Sequence, residues 1–168
     1  MNNYFKRAAA KKEYSPNHPV PEHVCDEQIL YWAKSILGTR LKRSNYLTSP
    51  DTTRDFLKVC MGNLEREVFS VILLDSQHGI LAFEELFQGT VDAAAVYPRE
   101  IVKAALAKNA SAVILSHNHP SGSPEPSRAD IDITNRIHEA LKTVDIRLLD
   151  HLLVCGDDIS SFAEQGLL

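Results

Sequence analysis

Cysteine is scarce in this sequence of 168 residues, and long apolar runs are absent. The three cysteines, Cys25, Cys60 and Cys155, are odd in number and share no CxxC spacing, which argues against a disulfide framework and against a cysteine-ligated metal site. No apolar run reaches the roughly 18 residues that a membrane helix requires, and no apolar core follows the basic residues near the N-terminus, as a secretory signal would need. We therefore expect a cytoplasmic protein with reduced thiols and no membrane contact.

The motifs of several enzyme classes are missing as well. The sequence contains no HExxH, no P-loop and no G-x-S-x-G, and it lacks the P-C-x-x-C that a zinc nucleobase deaminase combines with H-x-E. Its composition, 44% hydrophobic and 24% charged, is that of an ordinary globular protein and excludes a collagen or a mostly disordered chain. A chain of this length forms one ordinary domain and buries roughly two-thirds of the surface that its unfolded form exposes.

Charge is distributed unevenly along the chain. The net charge is −4, from 18 basic and 22 acidic side chains, so the chain as a whole is not a general polyanion binder. Residues 1–45 carry 8 basic and 4 acidic side chains, whereas residues 46–168 carry the other 10 basic and 18 acidic ones. Residues 1–24 combine basic side chains with three prolines that prevent a continuous helix. They predict a flexible, basic, proline-rich arm, which is either a disordered tail or a segment that contacts nucleic-acid phosphates.

After the arm, apolar periodicity and turn residues predict alternating helices and strands. The N-terminal helical segment, residues 25–48, begins with a helix that Asp26 caps and Gly38 ends, and its apolar stripe is Ile29, Leu30, Ala33, Ile36 and Leu37. In the remaining domain, residues 49–168, the predicted helices are 50–61, 98–109 and 128–143, and the predicted strands are 68–74, 80–87, 112–116, 146–149 and 151–155. Because strands and helices alternate, the predicted fold class is α/β, with a mixed β-sheet flanked by helices.

Residues 116–130 contain a group of side chains that are common metal ligands. His117 and His119 stand two positions apart at the end of a predicted strand, so both imidazoles point to the same side, about 6.5–7 Å apart along the chain. A stiff, proline-rich bend follows and can return the chain to the histidines. Asp130, in the first turn of the next predicted helix, can then supply a carboxylate. Two histidines and one carboxylate form a ligand set that zinc accepts, with a fourth position left to water.

Each part of this stretch has a simpler interpretation by itself. Two nearby histidines at a strand end are often ordinary hydrogen-bonded surface residues. Ser127-x-x-Asp130 also has the form of a capping box, in which both side chains satisfy amides at the start of a helix. The combination of H-x-H, seven residues and S-x-x-D is far more specific than either part, and it predicts a metal site.

The combined spacing resembles the signature of the JAMM (MPN-type) metallopeptidases, which is an upstream Glu, then H-x-H, seven residues and S-x-x-D. A longer part of the chain, from about residue 50 to the C-terminus, resembles the RadC family of bacterial proteins. The resembling stretches are 65–69, 87–90, 97–100, 117–122, 149–151 and 161–168. The short form and the tail are similar to RadC-like proteins of bacterial mobile elements, and the helix-hairpin-helix-like region of longer members has no evident match. The resemblance implies a JAMM/MPN-like (cytidine-deaminase-like) architecture, with His117, His119 and Asp130 as ligands of one zinc ion per chain.

The resemblance also implies roles for residues around the metal. The upstream Glu of the family acts as general base; we assign this role to Glu67, at the entry to a predicted strand, with Glu100 in a helix first turn as the rival. Ser127 corresponds to the family's oxyanion donor, although the same hydroxyl could cap the helix. Asp150 and His151 are candidates for a hydrogen bond to the ring nitrogen of a ligating histidine that does not face the metal. The alternative is an ordinary hydrogen bond between strands.

Two classes of function follow from these features. The first is a JAMM-type zinc hydrolase, a metallopeptidase whose metal-activated water attacks a peptide or isopeptide bond of a peptide or protein substrate. The alternative is a non-catalytic DNA-associated module, connected with DNA repair or mobile-element biology, whose basic arm contacts phosphates. Stoichiometric zinc would favour the first, and salt-dependent binding to duplex DNA would favour the second.

Overall fold

The structure is a computed structural model, and it describes residues 24–43, 50–89 and 96–168. Within these residues, four helices and five strands follow one another along the chain. The helices are α1 (Asp26–Arg43), α2 (Pro50–Met61), α3 (Pro98–Ala107) and α4 (Arg128–Lys142). The strands are β1 (Val68–Leu74), β2 (Ile80–Gln88), β3 (Ala112–Asn118), β4 (Arg147–Cys155) and β5 (Asp158–Ser161). None of these helices has the length and apolar character needed to cross a bilayer. Residues 1–23 of the predicted arm lie outside the described residues.

The five strands form one mixed sheet in the order β2-β1-β3-β4-β5. β1 pairs antiparallel with both β2 and β3, β3 pairs parallel with β4, and β4 pairs antiparallel with β5. α4 lies in the crossover connection that the parallel pair requires. The predicted α/β fold with a mixed, helix-flanked sheet is confirmed.

Alternate residues of the central strands pack on opposite faces of the sheet. On one face, Ile72 of β1 lies in a cluster with Phe56 and other residues of α2. On the other face, Val71 lies in a cluster with Ile101 of α3 and Ile137 of α4. Because both faces are covered, β1 and β3 are buried along their whole length, which explains why their sequences are nearly continuous apolar runs.

Helix α1 differs from its prediction in two respects. It continues past Gly38, where the sequence predicts an end, because a glycine inside a helix costs only about 1 kcal/mol relative to alanine. A Cβ at Gly38 would lie 3.7 Å from the ring of Phe56, so α1 packs closely against α2 at this point. Ile36 is 53% exposed and therefore does not belong to the buried stripe, whereas the other predicted members of that stripe are half-buried.

The C-terminal part of the sheet also differs from its prediction. β4 is one continuous strand, whereas the sequence predicts two strands that meet at Asp150. Val113 pairs with Leu148 but Ile114 pairs with Asp150, so the register shifts by one residue between these two pairs. Such an irregularity is typical of a β-bulge, which interrupts the pattern in the sequence without ending the strand.

Two further corrections concern the ends of the sheet. β3 extends beyond its predicted end at Ser116 to Asn118, which places His117 inside the sheet and not after it. β5 was not predicted, because its four residues follow a turn and carry little apolar character. β1 has the predicted bounds, residues 68–74.

Candidate metal centre

Three potential metal ligands converge where β3 ends and α4 begins. His117 lies within β3 and is 1% exposed, His119 follows the strand, and Asp130 lies in the first turn of α4. One potential ligand atom from each residue lies within 4.8 Å of the others. The structure therefore brings together the three residues that the sequence predicts as ligands.

The distances between these atoms suit a tetrahedral ion. Nε2 of His117 lies 3.2 Å from Nε2 of His119 and 3.4 Å from Oδ1 of Asp130. Nε2 of His119 lies 3.5 Å from Oδ2 of Asp130. Ligand atoms that are held about 2.0–2.1 Å from a tetrahedral zinc ion lie roughly 3.3–3.4 Å from one another. Both the spacing and the two-nitrogen, one-oxygen donor set therefore fit zinc with one position left open.

The second nitrogen of each imidazole is engaged on the side away from Asp130. Nδ1 of His117 lies 2.8 Å from Nε2 of His151, and Nδ1 of His119 lies 3.0 Å from the carbonyl oxygen of Ser123. The Sγ of Cys155 donates to the same carbonyl at 2.9 Å. Metal-ligating histidines usually have such a bond at their second nitrogen, because it fixes the ring and leaves the first nitrogen for the metal.

Asp130 and Ser127 also form the capping box that the sequence predicts as an alternative. The Oγ of Ser127 accepts a hydrogen bond from the backbone N–H of Asp130 at 3.1 Å, and Oδ2 of Asp130 accepts bonds from the backbone N–H and the hydroxyl of Ser127 at 2.7 and 2.6 Å. Burial raises the pKa of Asp130, but the adjacent imidazole of His117 and the hydrogen bonds from Ser127 hold that pKa well below its ordinary value. The carboxylate is therefore ionised at neutral pH, as a metal ligand must be, and capping and metal binding share one geometry.

A cleft of about 550 Å³ opens beside the three ligands, and its lining includes Glu67, His119 and Ser127. The position of Glu67 follows from the strand register. Phe69 of β1 pairs with His117 of β3 in an antiparallel ladder, so the residues before β1, which include Glu67, lie at the same end of the sheet as His119 after β3. The predicted general base and the predicted ligand therefore border the same cleft.

Asn118, which stands between the two histidines, ties the start of β1 to β3. Its Oδ1 accepts a hydrogen bond from the backbone N–H of Val68 at 2.8 Å, and its Nδ2 donates to the carbonyl of Arg66 at 3.0 Å. These two residues flank Glu67, whose own carbonyl accepts a bond from the N–H of Gly89 at 2.7 Å. The sequence analysis missed this role, although an amide side chain inside the H-x-H motif was a signal for it.

Glu100, the rival general base, lies in the first turn of α3. Its carboxylate contacts Lys103 at 2.7 Å and Arg99 at 3.3 Å, and the hydrogen bond from Lys103 lowers the pKa of Glu100. Glu100 is not among the residues that line the cleft. Its position is that of an ordinary acid in the first turn of a helix.

Asp150 and His151 are neighbours in sequence but have different partners. Oδ2 of Asp150 accepts a bond from the hydroxyl of Ser161 at 2.7 Å, which connects β4 to β5. His151 is fully buried and contacts both His117 and, at 2.7 Å, the Oγ1 of Thr134 on α4. Burial, together with the nearby His117, lowers the pKa of His151 well below its ordinary value, so its imidazole is neutral. Of the two predicted supporting residues, His151 is therefore the one that contacts a candidate ligand, and Thr134 is a partner that the sequence analysis missed.

Comparison with known proteins gives one family. The family described as "RadC-like JAB domain" matches residues 47–167, a range that includes Glu67, the three candidate ligands and His151. A UPF0758 protein of Vibrio cholerae is 53% identical over 143 residues, which are 85% of this chain and 90% of the relative. UPF0758 proteins of Shewanella amazonensis and Thioalkalivibrio sulfidiphilus are 54% and 53% identical over 80% and 84% of this chain. The chain spans only 60% and 63% of the length of these last two relatives.

Proposed function

The chain belongs to the RadC-like JAB domain family, and from this membership and the geometry of its candidate metal centre we propose that it is a zinc-dependent hydrolase that cleaves an amide bond in a peptide or an isopeptide. The observation that carries the proposal is the convergence of two imidazole nitrogens and one carboxylate at 3.2–3.5 Å from one another, beside an open cleft. We also propose a cytoplasmic location, because the three cysteines are free thiols, as is usual in that compartment.

His117, His119 and Asp130 hold the ion in this proposal. A bound zinc lowers the pKa of a water molecule to about 7 and polarises a carbonyl group. The open cleft beside His119 gives a peptide access to this position. Because Asp130 is ionised and both Nε2 atoms face it, the protein needs no large rearrangement to bind the metal.

Glu67 is the proposed general base. Its carboxylate accepts a proton from the attacking water and returns that proton to the leaving amine, the exchange that amide hydrolysis needs. Two features support this assignment: Glu67 borders the same cleft as His119, and the bonds of Asn118 on either side of it fix its backbone to β3.

Ser127 is the proposed donor to the oxyanion that develops on the substrate. In the structure its hydroxyl donates to Oδ2 of Asp130 and accepts from the backbone N–H of the same residue. The capping bond uses the oxygen and not the proton. The hydroxyl can therefore rotate toward the cleft, which Ser127 lines, while the cap stays in place.

The test begins with metal content. Purified protein dialysed at neutral pH should contain about one zinc per chain, and His119→Ala should lose it, whereas the matched His138→Ala variant on α4 should retain it. The zinc-loaded protein and a chelator-stripped sample are then incubated with a peptide library that includes lysine isopeptides, and the released α-amino groups and lysine ε-amino groups are identified by mass spectrometry. Cleavage that disappears on stripping and returns with zinc supports the proposal. A wild-type protein without stoichiometric metal would contradict it.

A non-catalytic DNA-associated function is the second proposal, and the sequence observation that favours it is the excess of basic residues in positions 1–45. Phosphate contacts by this segment predict duplex binding that weakens as salt rises, with a salt dependence that shrinks when residues 1–24 are deleted. Duplex binding that is absent even at low salt would dismiss this alternative.

A further inference from the structure

We propose that Thr134 and His151 are positioning residues that fix the tautomer of His117, so that the lone pair of His117 lies on Nε2 and faces the other two ligands. The inference rests on the proposed metal centre, because it concerns how the protein prepares one of its ligands. It follows from three hydrogen bonds that run inward from α4 to β3.

The first step concerns the hydroxyl of Thr134. Its Oγ1 lies within hydrogen-bond distance of the backbone carbonyl of Asp130, one turn earlier in α4. A carbonyl oxygen has no proton to give, so the single hydroxyl proton of Thr134 is used in this bond. Toward Nδ1 of His151, 2.7 Å away, the hydroxyl oxygen can therefore only accept. Nδ1 of His151 must carry a proton.

The second step passes this constraint to the metal ligand. His151 is fully buried, and its two ring nitrogens contact a hydroxyl and another imidazole and no carboxylate, so nothing compensates a second ring proton. It therefore carries one ring proton, and the bond to Thr134 places that proton on Nδ1. Nε2 of His151 is then an acceptor, and Nδ1 of His117, 2.8 Å away, must be its donor. The lone pair of His117 is left on Nε2, the atom that faces His119 and Asp130.

Aromatic packing keeps the rings of this relay in place. The ring of His151 stacks on Phe162, with centroids 4.5 Å apart, and the ring of Phe69 meets it edge-on at 5.3 Å. Phe69 also stacks on His117, with ring planes only 13° apart. These contacts hold the ring planes, so the direction of the hydrogen bonds decides which nitrogen of His117 is available.

His119 reaches the same tautomer by a simpler route. Its Nδ1 contacts the carbonyl oxygen of Ser123 directly, which requires a proton on Nδ1 and leaves Nε2 free. The inner histidine has no carbonyl at this position and uses a neutral histidine and a threonine in its place. Both ligands thus present Nε2, as a shared ion requires.

The experiment uses the full-length, metal-free protein with ¹⁵N-labelled histidine, and two-bond ¹H–¹⁵N correlation spectra assign the tautomer of each ring. His117, His119 and His151 should all carry their proton on Nδ1. Thr134→Val keeps the shape of the side chain but removes the hydroxyl, so Nδ1 of His151 loses its acceptor. Its proton should then move toward Nε2, and that of His117 should move with it. Zinc affinity, measured by competition with a fluorescent chelator, should fall by about 10- to 100-fold.

The matched control is Thr134→Ser, which retains the hydroxyl and should retain both the tautomers and the zinc affinity. A His117 that carries its proton on Nε2 in the wild type would overturn the inference, and so would Thr134→Val with unchanged tautomers and zinc affinity. Thermal denaturation is used to check that the two variants are folded. His151→Gln provides a second test: its amide oxygen can still accept from His117, so its zinc affinity should be at least partly kept. The failure of the hydrolase proposal is recognised separately, because tautomers are observed without metal or substrate.

Discussion

The inner and outer sides of the candidate metal centre differ in burial and in how they are built. The inner side consists of His117, His151 and Thr134, which are at most 1% exposed and belong to two neighbouring strands and a helix. The outer side consists of Glu67, His119 and Ser127, which precede or follow regular elements and line the cleft. For the proposed hydrolase, the comparison indicates a division of labour: the buried inner side holds a candidate metal ligand, and the outer side borders the cleft that a substrate would enter.

The largest expected effect comes from removing the inner ligand. His117→Ala deletes a ligand and leaves His151 buried without its partner, so it should abolish stoichiometric zinc binding and cost about 3 kcal/mol of unfolding free energy in the metal-free protein. His119→Ala should also abolish zinc binding but cost only about 1 kcal/mol, because its ring is partly exposed. Metal analysis and denaturant unfolding of both variants measure the difference. Equal losses of stability would contradict the distinction between the two sides.

The next effect concerns chemistry on the outer side. Glu67→Gln removes the proposed base without removing a ligand, so the rate of amide hydrolysis should fall by about 10²- to 10⁴-fold while zinc affinity stays unchanged. Steady-state kinetics with chelator competition separates the two quantities. Glu100→Gln is the matched control and should change neither the hydrolysis rate nor the zinc affinity. If Glu100→Gln were as inactive as Glu67→Gln, the assignment of Glu67 as the base would be wrong.

Ser127 should combine a catalytic effect with a structural one. Ser127→Ala should slow hydrolysis by about 10²-fold through loss of the oxyanion donor, and should cost about 1 kcal/mol of stability through loss of the N-cap of α4. Ser127→Asn restores a good N-cap residue and should recover stability without recovering the rate. If the rate returned together with stability, Ser127 would act by capping alone.

Asp130 contacts residues of both sides, and its contribution to the stability of the fold should depend on pH. Its pKa is depressed in the folded protein, so its ionised form stabilises the fold at pH values above the ordinary range of an aspartate, and this contribution is lost as the pH falls below about 4. In metal-free protein, the stability difference between the wild type and Asp130→Asn should therefore be largest near neutrality and shrink in acid. Denaturant unfolding at a series of pH values measures this difference, and a difference that grew in acid would contradict the assignment.

The smallest expected effect tests how His119 is supported. Cys155 donates to the same carbonyl of Ser123 that accepts from His119, but a thiol is a weak donor. Cys155→Ala should therefore weaken zinc binding by no more than about threefold, and Cys155→Ser should leave it unchanged. A loss as large as that expected for Thr134→Val would show that both sides depend equally on their support.

The sequence predicted local features of the site better than long-range ones. His117, His119 and Asp130 come from one strand-loop-helix unit, so their spacing along the chain is enough to predict their proximity. The contact between His117 and His151 depends instead on the parallel register of β3 and β4, in which Leu115 pairs with His151, and no sequence spacing specifies this register.

The errors in the fold have a similar origin. The predicted end of α1 at Gly38 failed because a glycine inside a helix costs only about 1 kcal/mol relative to alanine and need not end it. The predicted break in β4 was wrong because the polar Asp150 interrupts the apolar pattern at a local register shift, and such an interruption is also typical of a turn. In both places a local signal in the sequence did not end the element.

The hydrogen bonds of Asn118 also have a consequence for motion. Because this side chain joins the backbone on both sides of Glu67 to the strand that carries His117, its hydrogen bonds hold the two segments together. Thermal fluctuations of the proline-rich loop before α4 can change access to the cleft without changing the separation between the acid and that imidazole. In the proposed hydrolase, the entrance can thus vary with the substrate while Glu67 and His117 keep their alignment.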